Sequence, residues 1–132
     1  QGLNSNDQHI LNGYRGLPDV AYNANPGDAI LYYSSFGGQP TGYATIGGTS
    51  EGPPQWSGII AVADQYAGEP LGFLNPMLYQ LGISGQQNVY HDITVGNNSF
   101  AKIKGYNCTK GWDPVTGWGS PQATNLINAL IQ

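Results

Sequence analysis

Charge is what this 132-residue chain has least of. Asp, Glu, Lys and Arg together make up 9% of it, against roughly a quarter of an ordinary globular protein. The four basic residues, Arg15, Lys102, Lys104 and Lys110, form no stripe that could neutralise a phosphate backbone, which speaks against a nucleic-acid partner. Cysteine is almost missing as well. Cys108 stands alone, so no internal disulfide can form, and its thiol is expected either buried or bridged to something outside the chain, with burial the preferred reading. No apolar run approaches the roughly 18 residues a membrane-spanning helix needs. The chain opens at Gln1 with neither an initiator Met nor a signal-like apolar core, as a mature or cleaved product would.

What is present points to a folded, loop-rich chain of about one domain: 20 glycines, 9 prolines, 9 tyrosines and 39% hydrophobic residues. The formal charge is −4 and the isoelectric point about 4.6. A surface made of amides, hydroxyls and tyrosines changes its charge little as pH falls. Few native ion pairs are then lost by protonation, which suits work in acid; the alternative from composition is a neutral secreted protein.

Along the chain, residues 1–18 read as a polar, turn-rich entry. "VAYNA" (20–24) is a short strand candidate, "NPGD" (25–28) a turn, and "AILYYSS" (29–35) its hairpin partner. "FGGQPTGYATIGGTS" (36–50) is too rich in glycine for a regular element. From Pro53 to Tyr66 the pattern is helical, with Trp56, Ile59, Ile60 and Ala63 on one face, and the run "SGIIAVA" predicts burial on most sides. "FLNPMLYQLG" predicts a second helix capped by Asn75, with Pro76 in its first turn and Gly82 ending it. Residues 83–119 read as turns and short strands. The last helix is expected to have Ser120 as N-cap, Pro121 at its first position, and Leu126, Ile127 and Leu130 on one face.

Two constellations carry chemistry. The first is "GGTSEGPPQW" (47–56), which delivers Ser50 to the start of a helix. A nucleophilic serine needs an exposed hydroxyl, a base and donors for an oxyanion. A helix N-terminus supplies part of this, because its first N–H groups lack intrahelical partners and its dipole favours negative charge. Prolines 53 and 54 remove donors that would be unpaired anyway. The same serine also serves as an ordinary helix cap. Glu51 is a poor base because adjacent side chains at a helix start diverge, and no spacing recommends His9 or His91.

The second constellation is "HDIT" (91–94) with "TKGWDPVTGWGS" (109–120). Asp92 and Asp113 sit in glycine-rich sequence of the kind that can turn backbone carbonyls inward for a hard cation such as calcium. The alternative is a pair of Asx turns.

Taken together, "RGLPDVAYNANP" (15–26), "GGTSEGPPQWSGIIA" (47–61), "LNPMLYQLG" (74–82), "HDITVGNN" (91–98) and "GWDPVTGWGSP" (111–121) resemble the sedolisins, serine-carboxyl peptidases related in fold to subtilisin. The segments follow the family's order and cover nearly the whole chain. The resemblance implies an α/β, subtilisin-like, three-layer parallel-sheet fold, of which residues 1–132 are a C-terminal portion. The nucleophile segment is then 47–66 and the calcium loop 90–119.

Ser50 then looks like the nucleophile of an acid-active endopeptidase or tripeptidyl-peptidase acting on peptides. Calcium is implied on the carboxylates of Asp92 and Asp113 and the carbonyls of Ile93, Thr109 and Gly111, where position 109 usually carries glycine. The family's base is a glutamate oriented by an aspartate four residues later, with a further aspartate stabilising the oxyanion. None has a match here: no Glu precedes Ser50, and Asp19 belongs to "PDVA". Such an aspartate must be protonated to donate, which would account for acid optima.

An upstream portion of the same peptidase domain is therefore the implied partner, and this chain alone is expected to be inactive. The contrasting readings are a non-catalytic, calcium-stabilised binding or structural remnant, and a self-contained Ser-His-Asp hydrolase. Two sequons, Asn97-Asn98-Ser99 and Asn107-Cys108-Thr109, would accept glycans in a eukaryotic secretory pathway.

Overall fold

The structure is a computed structural model that describes residues 2–37, 41–85 and 88–132. Residues 38–40 of the glycine-rich stretch and 86–87 of the long turn region lie outside the described residues. In chain order the elements are α1 (Ser5–Leu11), β1 (Ile30–Ser34), β2 (Gly42–Ile46), α2 (Gly52–Ala67), α3 (Asn75–Ser84), β3 (Tyr90–His91), β4 (Ser120–Pro121) and α4 (Ala123–Leu130). The pairs β1–β2 and β3–β4 are both antiparallel two-stranded ladders.

α2 forms where the 3.6 period predicts it. Ala63 is fully buried, and Trp56, Ile59 and Ile60 pack beside it against Leu78, Val89, Leu126 and Leu130. Burying a leucine as completely as Leu126 contributes roughly 2 kcal/mol. The expected burial on most sides is not found, however. Gly58, Ala61 and Val62 are exposed, because the described chain supplies packing from one side of α2 only. A second cluster joins Leu3, Tyr79 and Trp112, flanked by Leu11 and Trp118.

Several expected boundaries move, each for a visible reason. The polar entry contains α1, capped by Asn4, whose side-chain oxygen accepts from the N–H groups of Asn6 and Asp7. "AILYYSS" does not pair with "VAYNA"; its partner is Gly42–Ile46, inside the stretch judged too glycine-rich for structure. Asn75 is the first residue of α3 rather than its cap, since its side chain donates instead to Asp19 Oδ2 at 2.7 Å.

Gly82 does not end α3, which runs on to Ser84 and closes on Gly85. Gly82 is there for space: a Cβ would lie 2.3 Å from the Trp118 ring. Ser120 and Pro121 form β4 against Tyr90–His91, so α4 starts only at Ala123. Leu126 and Leu130 are buried as expected.

The segment 19–24 has no regular ladder, yet it joins the two constellations. Trp118 N–H donates to the Asp19 carbonyl, Ala21 N–H to Gly119, and Gly48 N–H to Ala24. Its Asp19 carboxylate is itself a hub, accepting from Arg15, Asn75 and Tyr79 Oη.

Candidate active site and metal loop

β2 ends at Ile46, and the chain reaches the helix through Gly47, Gly48 and a 3₁₀ turn, Thr49–Glu51. Both glycines are required. A Cβ on Gly47 would sit 2.7 Å from Pro26 Cα, and Gly48 has φ 106° and ψ 171°, a region essentially closed to other residues. Beside Gly48 there is open space.

Ser50 is exposed, and neither its hydroxyl nor its backbone N–H has a hydrogen-bond partner among the described residues. The side chain is therefore not acting as a cap: α2 has no side-chain cap bond, and its first turn carries the prolines. An uncommitted hydroxyl next to uncommitted amide N–H groups, at the positive end of a 16-residue helix, is the arrangement acyl chemistry needs.

Glu51 points the other way. It is 2% exposed, its Oε1 accepts from Gln55 Nε2 at 3.2 Å, and Gln55 in turn accepts from Tyr22 Oη at 2.7 Å. The other oxygen, Oε2, is buried without a partner. The divergence expected of adjacent residues at this turn is thus present, and Glu51 anchors the turn from beneath. His9 and His91 are exposed, and their rings form no hydrogen bond with any described residue. A cleft of about 620 Å³ opens beside the turn carrying Ser50, lined by Val20, Tyr22, Thr49 and Trp56 together with Ile93 and Val115.

The 90–119 loop is organised by its two aspartates. Asp113 is 1% exposed. Its Oδ1 accepts from Val115 N–H, Thr116 N–H and Thr116 Oγ1 at 2.9, 2.8 and 3.2 Å, and its Oδ2 accepts from Thr109 N–H at 2.8 Å. Asp92 is exposed, and its Oδ2 accepts from Gly111 N–H at 2.9 Å. Both carboxylates are thereby drawn to the same short segment, 109–113.

Asp92 Oδ1 and the carbonyls of Ile93, Thr109 and Gly111 accept no hydrogen bond from any described residue. That is a set of hard oxygen donors of the kind calcium takes. Among the described residues no group of three or more His, Cys, Asp or Glu side chains forms a metal cluster, so any cation here relies on backbone oxygens. Thr109 does not take a positive φ, so a β-branched residue is unstrained where glycine was expected.

Cys108 is buried, the environment preferred from the sequence, and burial, helped by the Asp113 charge, pushes its thiol up. Asp7, unsuspected from the sequence, is also buried. Its carboxyl is pushed up by burial and then by the Asp113 charge, while a hydrogen bond from Asn4 opposes the shift. The signal for it was legible: Asn4 with an acid three residues later has the spacing of a helix-capping pair.

No family model matches the chain. Comparison with individual proteins is informative. The chain is 45% identical over 118 residues to kumamolisin from Bacillus sp. (strain MN-32), a match covering 89% of this chain and 20% of that protein. It is 32% identical over 123 residues to Tripeptidyl-peptidase SED1 of Arthroderma otae, covering 89% and 16%. Among solved structures it is similar to Pseudomonas sedolisin, a serine-carboxyl proteinase complexed with two molecules of pseudo-iodotyrostatin. The TM-score there is 0.73 at 32% identity, over 95% of this chain and 33% of that one. The chain belongs to the sedolisin family. It has the subtilisin-like α/β fold of that structure over nearly its whole length, and it spans about a fifth of the length of the curated sedolisin relatives it matches.

Proposed function

We propose that this chain is the nucleophile- and calcium-bearing, C-terminal portion of an acid-active serine-carboxyl peptidase. The observation that carries the reading is the exposed, uncommitted Ser50 hydroxyl held on a glycine-rich turn at the head of α2. In the completed enzyme Ser50 Oγ attacks the scissile carbonyl and forms the acyl-enzyme. The free Ser50 N–H is aimed at the charge that develops on the carbonyl oxygen.

The base comes from outside this chain: among the described residues Glu51 is buried beneath the turn and neither histidine is engaged with Ser50. The resemblance supplies it as a glutamate oriented by an aspartate, with a protonated aspartate completing the oxyanion site. The bare apolar side of α2 and the cleft between the nucleophile turn and the metal loop give such an upstream portion surface to cover.

Calcium is assigned to the carboxylates of Asp92 and Asp113 and the carbonyls of Ile93, Thr109 and Gly111. Bound there, it would supply positive charge joining Asp92 and Ile93, just after β3, to the 109–113 segment. Few charges and a single ion pair among the described residues, Arg15–Asp19 at 2.7 Å, suit an acidic extracellular or lysosome-like setting. The test is Ser50→Ala in the full-length protein that carries this chain. Acid proteolysis is expected to fall by at least about 10³-fold with folding intact, while His9→Ala and His91→Ala stay near wild type. Retained proteolysis in the serine variant removes the reading.

A further inference from the structure

β1 and β2 present an uncovered face directly upstream of the nucleophile. In their register, Leu31, Tyr33, Tyr43 and Thr45 share one face. Leu31, Tyr33 and Tyr43 are 66%, 58% and 75% exposed. The two tyrosine rings meet edge to face at 5.3 Å, so the face is ordered rather than a scatter of loose side chains. Each strand has one ladder partner among the described residues, which leaves the outer edge of β2 with unpaired main-chain donors and acceptors. Residues 29–46 contain no Asp, Glu, Lys, Arg or His, so the charge of this surface stays constant through the acid range.

Ser50 follows the last residue of β2 by four positions, a reach of at most about 14 Å of extended chain. A peptide whose scissile bond sits at Ser50 therefore meets the hairpin a few residues away on one flank. We propose that this hairpin is the platform for one flank of an extended peptide substrate. The peptide adds a strand to the β2 edge through main-chain hydrogen bonds, and its alternate apolar or aromatic side chains pack on Leu31, Tyr33 and Tyr43. The inference rests on Ser50 being the nucleophile and adds where the substrate lies and what it prefers.

The experiment uses the full-length protein and two peptides sharing one scissile bond, one with two residues on each side and one with six. For Tyr33→Ser with Tyr43→Ser, kcat/KM on the long peptide is expected to drop about tenfold, chiefly through KM, with the short peptide unchanged. Tyr43→Phe, which keeps the ring, holds the long-peptide rate and guards against misfolding of the double variant. Equal losses on both peptides, or no loss on either, overturn this inference while leaving the peptidase reading intact; the first means that the rest of the domain or a second copy covers the hairpin. A wild-type protein that cleaves neither peptide overturns both.

Discussion

At the scale of residues, Ser50 and Glu51 are neighbours that turn in opposite directions, one to solvent and one beneath the turn. Gly48 makes that possible, because at φ 106° and ψ 171° only glycine sits without strain. Gly48→Ala should cost about 1–3 kcal/mol in chemical denaturation. Under the proposed role of Ser50 as nucleophile, it should also lower kcat more than KM, because it misplaces the attacking oxygen.

Asp7 makes a prediction with a definite sign. Its carboxyl is raised in the fold by burial and by the Asp113 charge, so the native state holds its proton more tightly than the unfolded chain. That contribution is fully present below the ordinary carboxylate value of 3.8 and is lost as pH rises through the raised one. With calcium chelated, Asp7→Asn should therefore gain stability relative to wild type at neutral pH and show less dependence on pH just above the carboxylate range. Unchanged pH profiles of the melting temperature would contradict this. Glu51 and Asp7 were both present in the sequence as polar letters. The Asn4–Asp7 spacing marked Asp7 as part of a helix cap, but the burial of either acid was not legible, because it depends on residues distant in the chain: Tyr22 and Gln55 at Glu51, and the loop carrying Asp113 near Asp7.

At the scale of elements, the two aspartates of the 90–119 loop divide the work. Asp113 satisfies four donors inside the fold, so Asp113→Ala should destabilise by roughly 3–5 kcal/mol even in chelator. Asp92 is exposed and accepts one bond. Asp92→Ala should change stability in chelator by less than about 1 kcal/mol; under the proposed calcium assignment, added calcium should raise the melting temperature of the wild type and this variant should lose most of that rise. If both variants lose equally in chelator, the division is wrong.

The helices α2, α3 and α4 were legible because their apolar spacing and proline positions are local signals. The β1–β2 pairing was not. Its glycines pointed to loop, and cross-strand packing between Tyr33 and Tyr43 won over that local preference. The ends of α3 and the start of α4 were misplaced for a related reason. Trp118 over Gly82, and Tyr90–His91 against Ser120–Pro121, are contacts between residues far apart in the chain.

At the scale of the whole molecule, the described chain buries one side of α2 and leaves the other bare, while the exposed Ser50 hydroxyl has no acid or base partner among the described residues. Both features follow from a polypeptide that spans about a third of the sedolisin structure it matches. The family and the position of Ser50 were legible because motifs at fixed spacing survive in sequence. The incompleteness of the apolar packing was visible only in three dimensions. In the proposed mechanism Ser50 becomes covalently acylated. The most direct measurement is an acid quench of the full-length protein turning over a peptide substrate at low pH, followed by mass analysis of its fragments. The acyl mass is predicted on the fragment containing Ser50 and absent from Ser50→Ala; an acyl mass on another residue, or rapid proteolysis with the Ser50 variant, would contradict it.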